Sequence, residues 1–311
     1  MESPSGGIQG PDSPLGLEAW YTEVKTTMTW AMAVLALAMT WAYTRGWWYV
    51  RGRRRGHCLA RAWRLGAFLA AAGTLLLAFL PPIAAYEGHS FFVHMIQHEV
   101  LIEVAPTFFW MAHPVPFLLW GMPARWRRWL AVRLLAPGRR RAWHAFSAPK
   151  VIVPLYLATV TLWHIPFAYD AALRWPAFHA AEHISLLATA TAFWWLVTGA
   201  SPRLHPRAGY RLPIVYVVAA YVHNEVLGVG LTLIRQPIYA FYERVVPPWN
   251  LAPATDQALG GAVMWIPGEF IYAATLMVLL MRLLEEKEPY RGTYESYPMS
   301  SQLADPPDGY R

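Results

Sequence analysis

Read for hydropathy alone, the chain alternates between long apolar runs and shorter polar breaks rich in arginine. A bilayer crossing takes about 20 mostly apolar residues. Seven runs approach that length: Thr26–Thr44, Ala62–Pro81, Phe91–Met111, Val151–Phe167, Phe178–Thr198, Leu212–Ile234 and Leu259–Leu283. None alternates strictly between apolar and polar residues as a barrel strand does, so each predicts a helix. The expected fold is therefore an all-α integral membrane protein, a bundle of about seven transmembrane helices.

Flanking composition sets the expected domains. Residues 1–25 are acidic, rich in Pro, Gly and Ser, and lack the basic start of a signal peptide. They read as an extracytoplasmic tail. Residues 26–284 form the seven-helix domain. Residues 285–311, with Pro289, Pro306 and Pro307, read as a flexible cytoplasmic tail. No second soluble domain and no internal repeat is visible, which weighs against a transporter built from inverted halves.

Composition agrees with a membrane protein: 56% of the 311 residues are hydrophobic and 14% charged, where a soluble domain carries roughly 25% charged residues. The net charge of +7 suggests a nucleic-acid partner until the charges are placed. The loops after the first, third and fifth runs hold 18 of the 26 Lys and Arg. The N-terminal tail and the other loops hold only Lys25, Arg174, Arg235 and Arg244. Basic residues stay on the cytoplasmic side. The N-terminus is therefore expected outside and the C-terminus inside, in a multi-pass protein whose basic surplus reports topology and not nucleic acid. Within the longest loop, Ala124–Leu135 mixes arginines with Trp126 and Trp129, predicting a short helix on the inner membrane surface. Cys58 is the only cysteine, so an intrachain disulfide and a thiolate pair for a metal are excluded.

Ionisable residues inside apolar spans are costly and mark a site by default. The third run carries His94 and His98 and the fifth carries His179 and His183, each pair spaced i, i+4. That spacing puts both imidazoles of a pair on one helix face, about 6 Å apart along the axis. With the topology above, both pairs and His164 of the fourth run meet at the extracytoplasmic end. Paired helical histidines are a metal-chelating unit; the competing reading is that each bonds a neighbouring helix. Imidazole suits copper, iron or zinc. Met95 and Met264 could add thioether ligands for Cu(I), or simply pack. Further polar candidates are Glu99, Glu103, Glu182, His223, Asn224, Glu225, Asp256, Gln257 and Glu269. Some could orient the histidines, ligate a hard metal or carry protons.

Three segments then carry a resemblance. His94-Met-Ile-Gln-His98 is the first. His164-Ile-Pro-Phe-Ala-Tyr-Asp170-Ala-Ala-Leu, followed by His179-Ala-Ala-Glu-His183 and Phe193-Trp-Trp195, is the second. Asp256-Gln-Ala-Leu-Gly-Gly-Ala-Val-Met-Trp265 is the third. Together they resemble the CtaG-type cytochrome c oxidase assembly factors of bacteria, over the third to seventh runs in order and spacing. The resemblance implies a protein of the bacterial plasma membrane that helps deliver copper to a haem–copper oxidase. Its metal-handling positions would be His94, His98, His164, His179 and His183. Asp170, Asp256 and Met264 fall within the matching segments as supporting positions. Glu99, Glu103 and Glu225 depart from the family pattern, which is apolar around the first histidine pair.

The expected function is thus a copper-binding assembly factor with oxidase subunits as partners, more a metallochaperone than an enzyme. The alternatives are a membrane metalloenzyme holding one or two copper, iron or zinc ions, and a haem- or quinone-binding electron carrier.

Overall fold

The computed structural model describes residues 14–53, 56–202, 209–245 and 249–287. Residues 1–13 and 288–311 of the two expected tails lie outside them, as do Arg54, Arg55, Arg203 and Arg207 of the basic loops.

The described residues form helices and no strand. In order they are α1 (Pro14–Arg51), α2 (Ala62–Phe79), α3 (Ile83–Tyr86), α4 (Phe91–Glu99), α5 (Ala105–Met111), α6 (Pro114–Gly121), α7 (Ala124–Leu135), α8 (Pro137–Phe146), α9 (Pro149–His164), α10 (Pro166–Arg174), α11 (Pro176–Thr198), α12 (Arg211–Leu233) and α13 (Pro253–Lys287). A π-helical turn, Val100–Val104, joins α4 to α5, and a single 3-10 turn, Tyr242–Arg244, lies between α12 and α13. The helix α7 coincides with the predicted Ala124–Leu135.

Three helical stretches are long and apolar enough to cross a membrane: Ala62–Tyr86, Arg211–Leu233 and Pro253–Glu286. Two more qualify if a bent pair counts as one span. Phe91–Met111 meets Pro114–Gly121 at 70°, and Pro149–His164 meets Pro166–Arg174 at 72°. The count is therefore three to five, where hydropathy predicted seven. The difference has a local cause. Prolines at the starts of α6 and α10 have no N–H to continue the preceding helix. His113, just before Pro114, adopts a left-handed φ of 50°. The helices α1 and α11 have the length but are less apolar, α11 because it carries His179, Glu182 and His183, all buried. Also, α1 begins at Pro14, well before the predicted Thr26.

The main core gathers Tyr156 of α9, Leu186, Phe193 and Trp194 of α11, and Tyr272 of α13. Trp194 donates its indole N–H to the carbonyl of Ile102 at 2.8 Å, satisfying a backbone group of the π-helical turn. At the other side, α1 and α6 touch backbone to backbone. A Cβ at Gly46 would lie 1.8 Å from the Phe117 carbonyl oxygen, and one at Gly121 would lie 1.7 Å from that of Ala42.

Candidate metal centre

The first histidine pair owes its placement to the start of α4. Asp256, at the head of α13, accepts hydrogen bonds from Ser90 Oγ (2.6 Å), the Phe91 N–H (2.6 Å) and the Phe92 N–H (3.3 Å). Two otherwise orphaned N–H groups at a helix N-terminus, and the hydroxyl of the capping Ser90, are thereby satisfied by one buried carboxylate, which also suits the positive end of the helix dipole. The cap locks α4 to α13 and sets the height of His94 and His98. Glu182 and the second pair come from one face of α11. His164 ends α9, where Pro166 forces the bend.

These elements converge. His94, His98, Glu182 and His183 each offer a ligand atom, and the four atoms lie within 4.8 Å of one another. His94 Nε2 is 3.3 Å from His183 Nε2 and 3.8 Å from a Glu182 oxygen; His98 Nε2 is 3.6 Å from the other Glu182 oxygen. His179 and His164 flank the group: His179 packs ring to ring with His94 (5.2 Å) and His183 (4.3 Å), and His164 lies 6.1 Å from the His98 ring. Both His94 and Glu182 are wholly buried.

These groups match a metal ion in two respects. The first is spacing. Two nitrogens each about 2.0 Å from one tetrahedral ion are about 3.3 Å apart, which is the His94–His183 separation. The second is hydrogen-bond accounting. Both ring nitrogens of His98, Nε2 of His164 and both oxygens of Glu182 are buried without a hydrogen bond among the described residues. Native interiors rarely leave such atoms unsatisfied, and among these His98 Nε2 and a Glu182 oxygen lie 3.6 Å apart. The residues therefore fit a metal ion.

Tautomers follow from the partners. The buried carbonyl of Glu87 can only accept, so the Tyr242 hydroxyl donates to it (2.8 Å). Tyr169 must then donate to Tyr242 (3.4 Å), and His94 Nδ1–H to Tyr169 (2.9 Å). All three contacts are satisfied together only in this direction, which leaves the lone pair of His94 on Nε2, inside the cluster. Likewise His164 Nδ1–H donates to the Val160 carbonyl at 2.7 Å, freeing Nε2. Tyr242 lies in the segment between α12 and α13, and burial holds its hydroxyl well above the usual phenol range, so it stays a donor at neutral pH.

The other candidates take different places. Asp170 accepts from the Phe241 N–H (3.3 Å) and pairs with Arg174 (3.9 Å), tying down the segment that carries Tyr242. Met95 and Met264 pack in an apolar cluster with Phe91, Tyr169 and Tyr239. His223 Nε2 meets Thr161 Oγ1 at 2.7 Å, on the side of α12 toward α9. Glu99, just before the π-helical turn, and Glu103, within it, are both buried; Asn224 Nδ2 donates to Glu103 (3.2 Å) and to the Met264 carbonyl (2.8 Å). Sequence reasoning missed Tyr169, Tyr242 and Glu87. Tyr169 stands inside the second signature, but nothing in hydropathy distinguishes a tyrosine that orients a histidine from one that packs.

A cleft of about 70 Å³ reaches His179 and His183 past Glu87, between α1, α3 and α11. A larger cavity of about 250 Å³, between α1, α2, α5 and α11, is lined almost wholly by apolar side chains and lies away from the ligand atoms.

The comparisons with known proteins agree with the signatures. The sequence pattern of the family described as cytochrome c oxidase caa3 assembly factor (Caa3_CtaG) matches residues 41–286. Two curated relatives, the uncharacterized proteins Mb0105 of Mycobacterium bovis and MT0111 of Mycobacterium tuberculosis, are each 26% identical over 226 residues. That alignment covers 68% of this chain and 32% of each relative, so the chain spans about a third of the length of the curated relatives it matches. No solved structure matches.

Proposed function

We propose that this chain, which belongs to the cytochrome c oxidase caa3 assembly factor family, is a multi-pass protein of the bacterial plasma membrane that binds copper and helps deliver it to a haem–copper oxidase. The observation that carries this reading is the convergence of His94, His98, His183 and Glu182 into one set of ligand atoms within 4.8 Å. His164 and His179 stand at its margin as alternative ligands during transfer. In this reading α1, α2, α4 with α5, α9, α11, α12 and α13 all cross the bilayer, with the N-terminus outside. The basic loops support that orientation, and it puts the cluster near the outer surface. The cleft beside His179 and His183 supplies the route by which an ion reaches or leaves the cluster.

The copper is cargo, so the site must release it. Imidazole ligands accept either copper oxidation state, and a histidine pair at the margin lets one ligand replace another without exposing the ion to water.

The test is metal content by elemental mass spectrometry on detergent-purified, copper-loaded protein, wild type beside His94→Ala/His98→Ala and His179→Ala/His183→Ala. About one copper per chain, lost in both double variants, supports the reading. Wild type that takes up no metal overturns it.

One observation favours a second reading. Glu182 puts a hard carboxylate oxygen among the nitrogens, a set that suits iron or zinc as well as copper. A membrane metalloenzyme follows if purified protein holds iron or zinc in place of copper. Axial ligation of a haem by His94 and His183 together is disfavoured, because their nitrogens are too close to admit a macrocycle between them.

A further inference from the structure

One polar group lies on the outside of the bundle, apart from the histidine cluster. Tyr221 and Glu225 of α12 and Glu269 of α13 sit at the outward seam of these two helices. The Tyr221 hydroxyl donates to Glu269 Oε1 at 3.4 Å and also reaches the Glu225 carboxyl, so one hydroxyl bridges acids from adjacent helices. All three are partly exposed. Around them Val218, Val222 and Val226 of α12 and Ile266 and Phe270 of α13 are exposed apolar side chains, as a lipid-facing surface requires.

Depth makes the group informative. Both helices are among the three stretches long and apolar enough to cross a membrane unaided. Glu225 and Glu269 fall near the middle of each. Carboxyls at that depth nearly always face a bundle interior or pair with another polar group. Here they turn outward. Among the described residues neither pairs with a Lys or Arg, and the nearby His223 is engaged with Thr161 on the α9 side. The seam itself is rigid: α12 and α13 approach closely where a Cβ at Gly261 would lie 2.7 Å from the Gly228 carbonyl oxygen. That backbone contact sets the register of α12 on α13 close to the two acids.

We propose that this seam docks a transmembrane helix of another membrane protein, one that carries a Lys or Arg at mid-depth. Charge complementarity selects the occupant. A cation on the incoming helix can hydrogen-bond both carboxyls and offset one unit of negative charge between them, and its apolar neighbours cover the valines and Phe270. A second copy of this chain fits poorly, because a two-fold dimer through the patch sets Glu225 and Glu269 against their own equivalents. The inference needs α12 and α13 to span a membrane and is independent of the metal.

The test uses full-length labelled protein in phosphatidylcholine vesicles and synthetic helices of about 20 leucines, bearing one central Lys, one central Glu or neither. Energy transfer between protein and peptide reads association. The Lys helix is expected to bind at least about tenfold more tightly than the all-leucine helix, and the Glu helix no better than leucine. Glu225→Gln/Glu269→Gln is expected to abolish the preference while leaving metal content and thermal unfolding unchanged, since both side chains lie on the surface. Equal binding of the three peptides, or a Lys preference that survives the double substitution, overturns the proposal. So does energy transfer between two labelled copies of the chain that the same substitution removes, which assigns the seam to self-association.

Discussion

The Tyr169 hydroxyl lies 2.9 Å from Nδ1 of His94, and Tyr242 stands behind it with its own proton committed to the Glu87 carbonyl. The relay fixes which nitrogen of His94 points into the cluster. Removing the hydroxyl that accepts from a metal-ligating histidine typically lowers metal affinity about 10- to 100-fold. Tyr169→Phe should do so here, as measured by competition with a chromophoric chelator. Tyr242→Phe should have a smaller effect, because Tyr169 remains to hold Nδ1. Unchanged affinity and unchanged copper spectra in both variants would mean that the relay does not govern His94.

The Asp256 carboxylate takes three donors at the start of α4. An N-terminal cap is worth about 1–2 kcal/mol when truncated to alanine, and buried donors left unpaired add to the loss. Asp256→Ala should therefore lower the thermal midpoint in detergent by several degrees and weaken metal binding through displacement of His94 and His98. Asp256→Asn keeps an acceptor oxygen and should recover part of the stability. Loss of metal with no change in unfolding would instead make Asp256 a ligand.

Close approach of α1 and α6 gives a prediction far from the cluster. At Gly46 a Cβ would lie 1.8 Å from the Phe117 carbonyl oxygen and 2.8 Å from the Gly121 N, all backbone, so no rotamer change can relieve it. Overpacking of this kind costs about 1–3 kcal/mol or more. Gly46→Ala should be destabilised accordingly in thermal unfolding, whereas Gly66→Ala, with nothing within 4 Å of its Cβ, should be neutral or slightly stabilising. Equal stability of the two variants would show that α1 does not pack on α6 as described.

What the sequence revealed and hid divides along physical lines. The histidine pairs were legible because i, i+4 spacing on a helix fixes a face, and the arginine distribution put both pairs and His164 at one end. Glu182 entered the ligand set because it precedes His183 directly, yet only packing shows it aimed at His98. The roles of Asp170 and Asp256 were not legible: each satisfies backbone N–H groups distant in sequence, from Phe241 and from Phe91 and Phe92. The bends at Pro114 and Pro166 could be anticipated from proline chemistry, but the count of seven also took in α1 and α11, which have the length of a span without its apolar composition. The surface placement of Glu225 and Glu269 needed the rotation of α12 and α13, which a nearly uniform apolar sequence does not encode.

The pH dependence of metal retention follows from the ligand set. A proton and a metal ion compete for the same imidazole lone pair, so affinity must fall as pH falls. Three histidines share the cluster, so more than one lone pair is open to this competition. The dissociation constant should therefore rise as pH is lowered. Removing one ligand, as in His98→Ala, should make that rise shallower. At the alkaline side no matching loss is expected below about pH 10, because burial raises the Tyr242 hydroxyl above the usual phenol range and the relay to His94 keeps its protons. Chelator competition across this range measures both limbs. A flat acid limb in protein that still holds a stoichiometric ion would place that ion on carboxylates and not on histidines, and would move the site away from His94, His98 and His183.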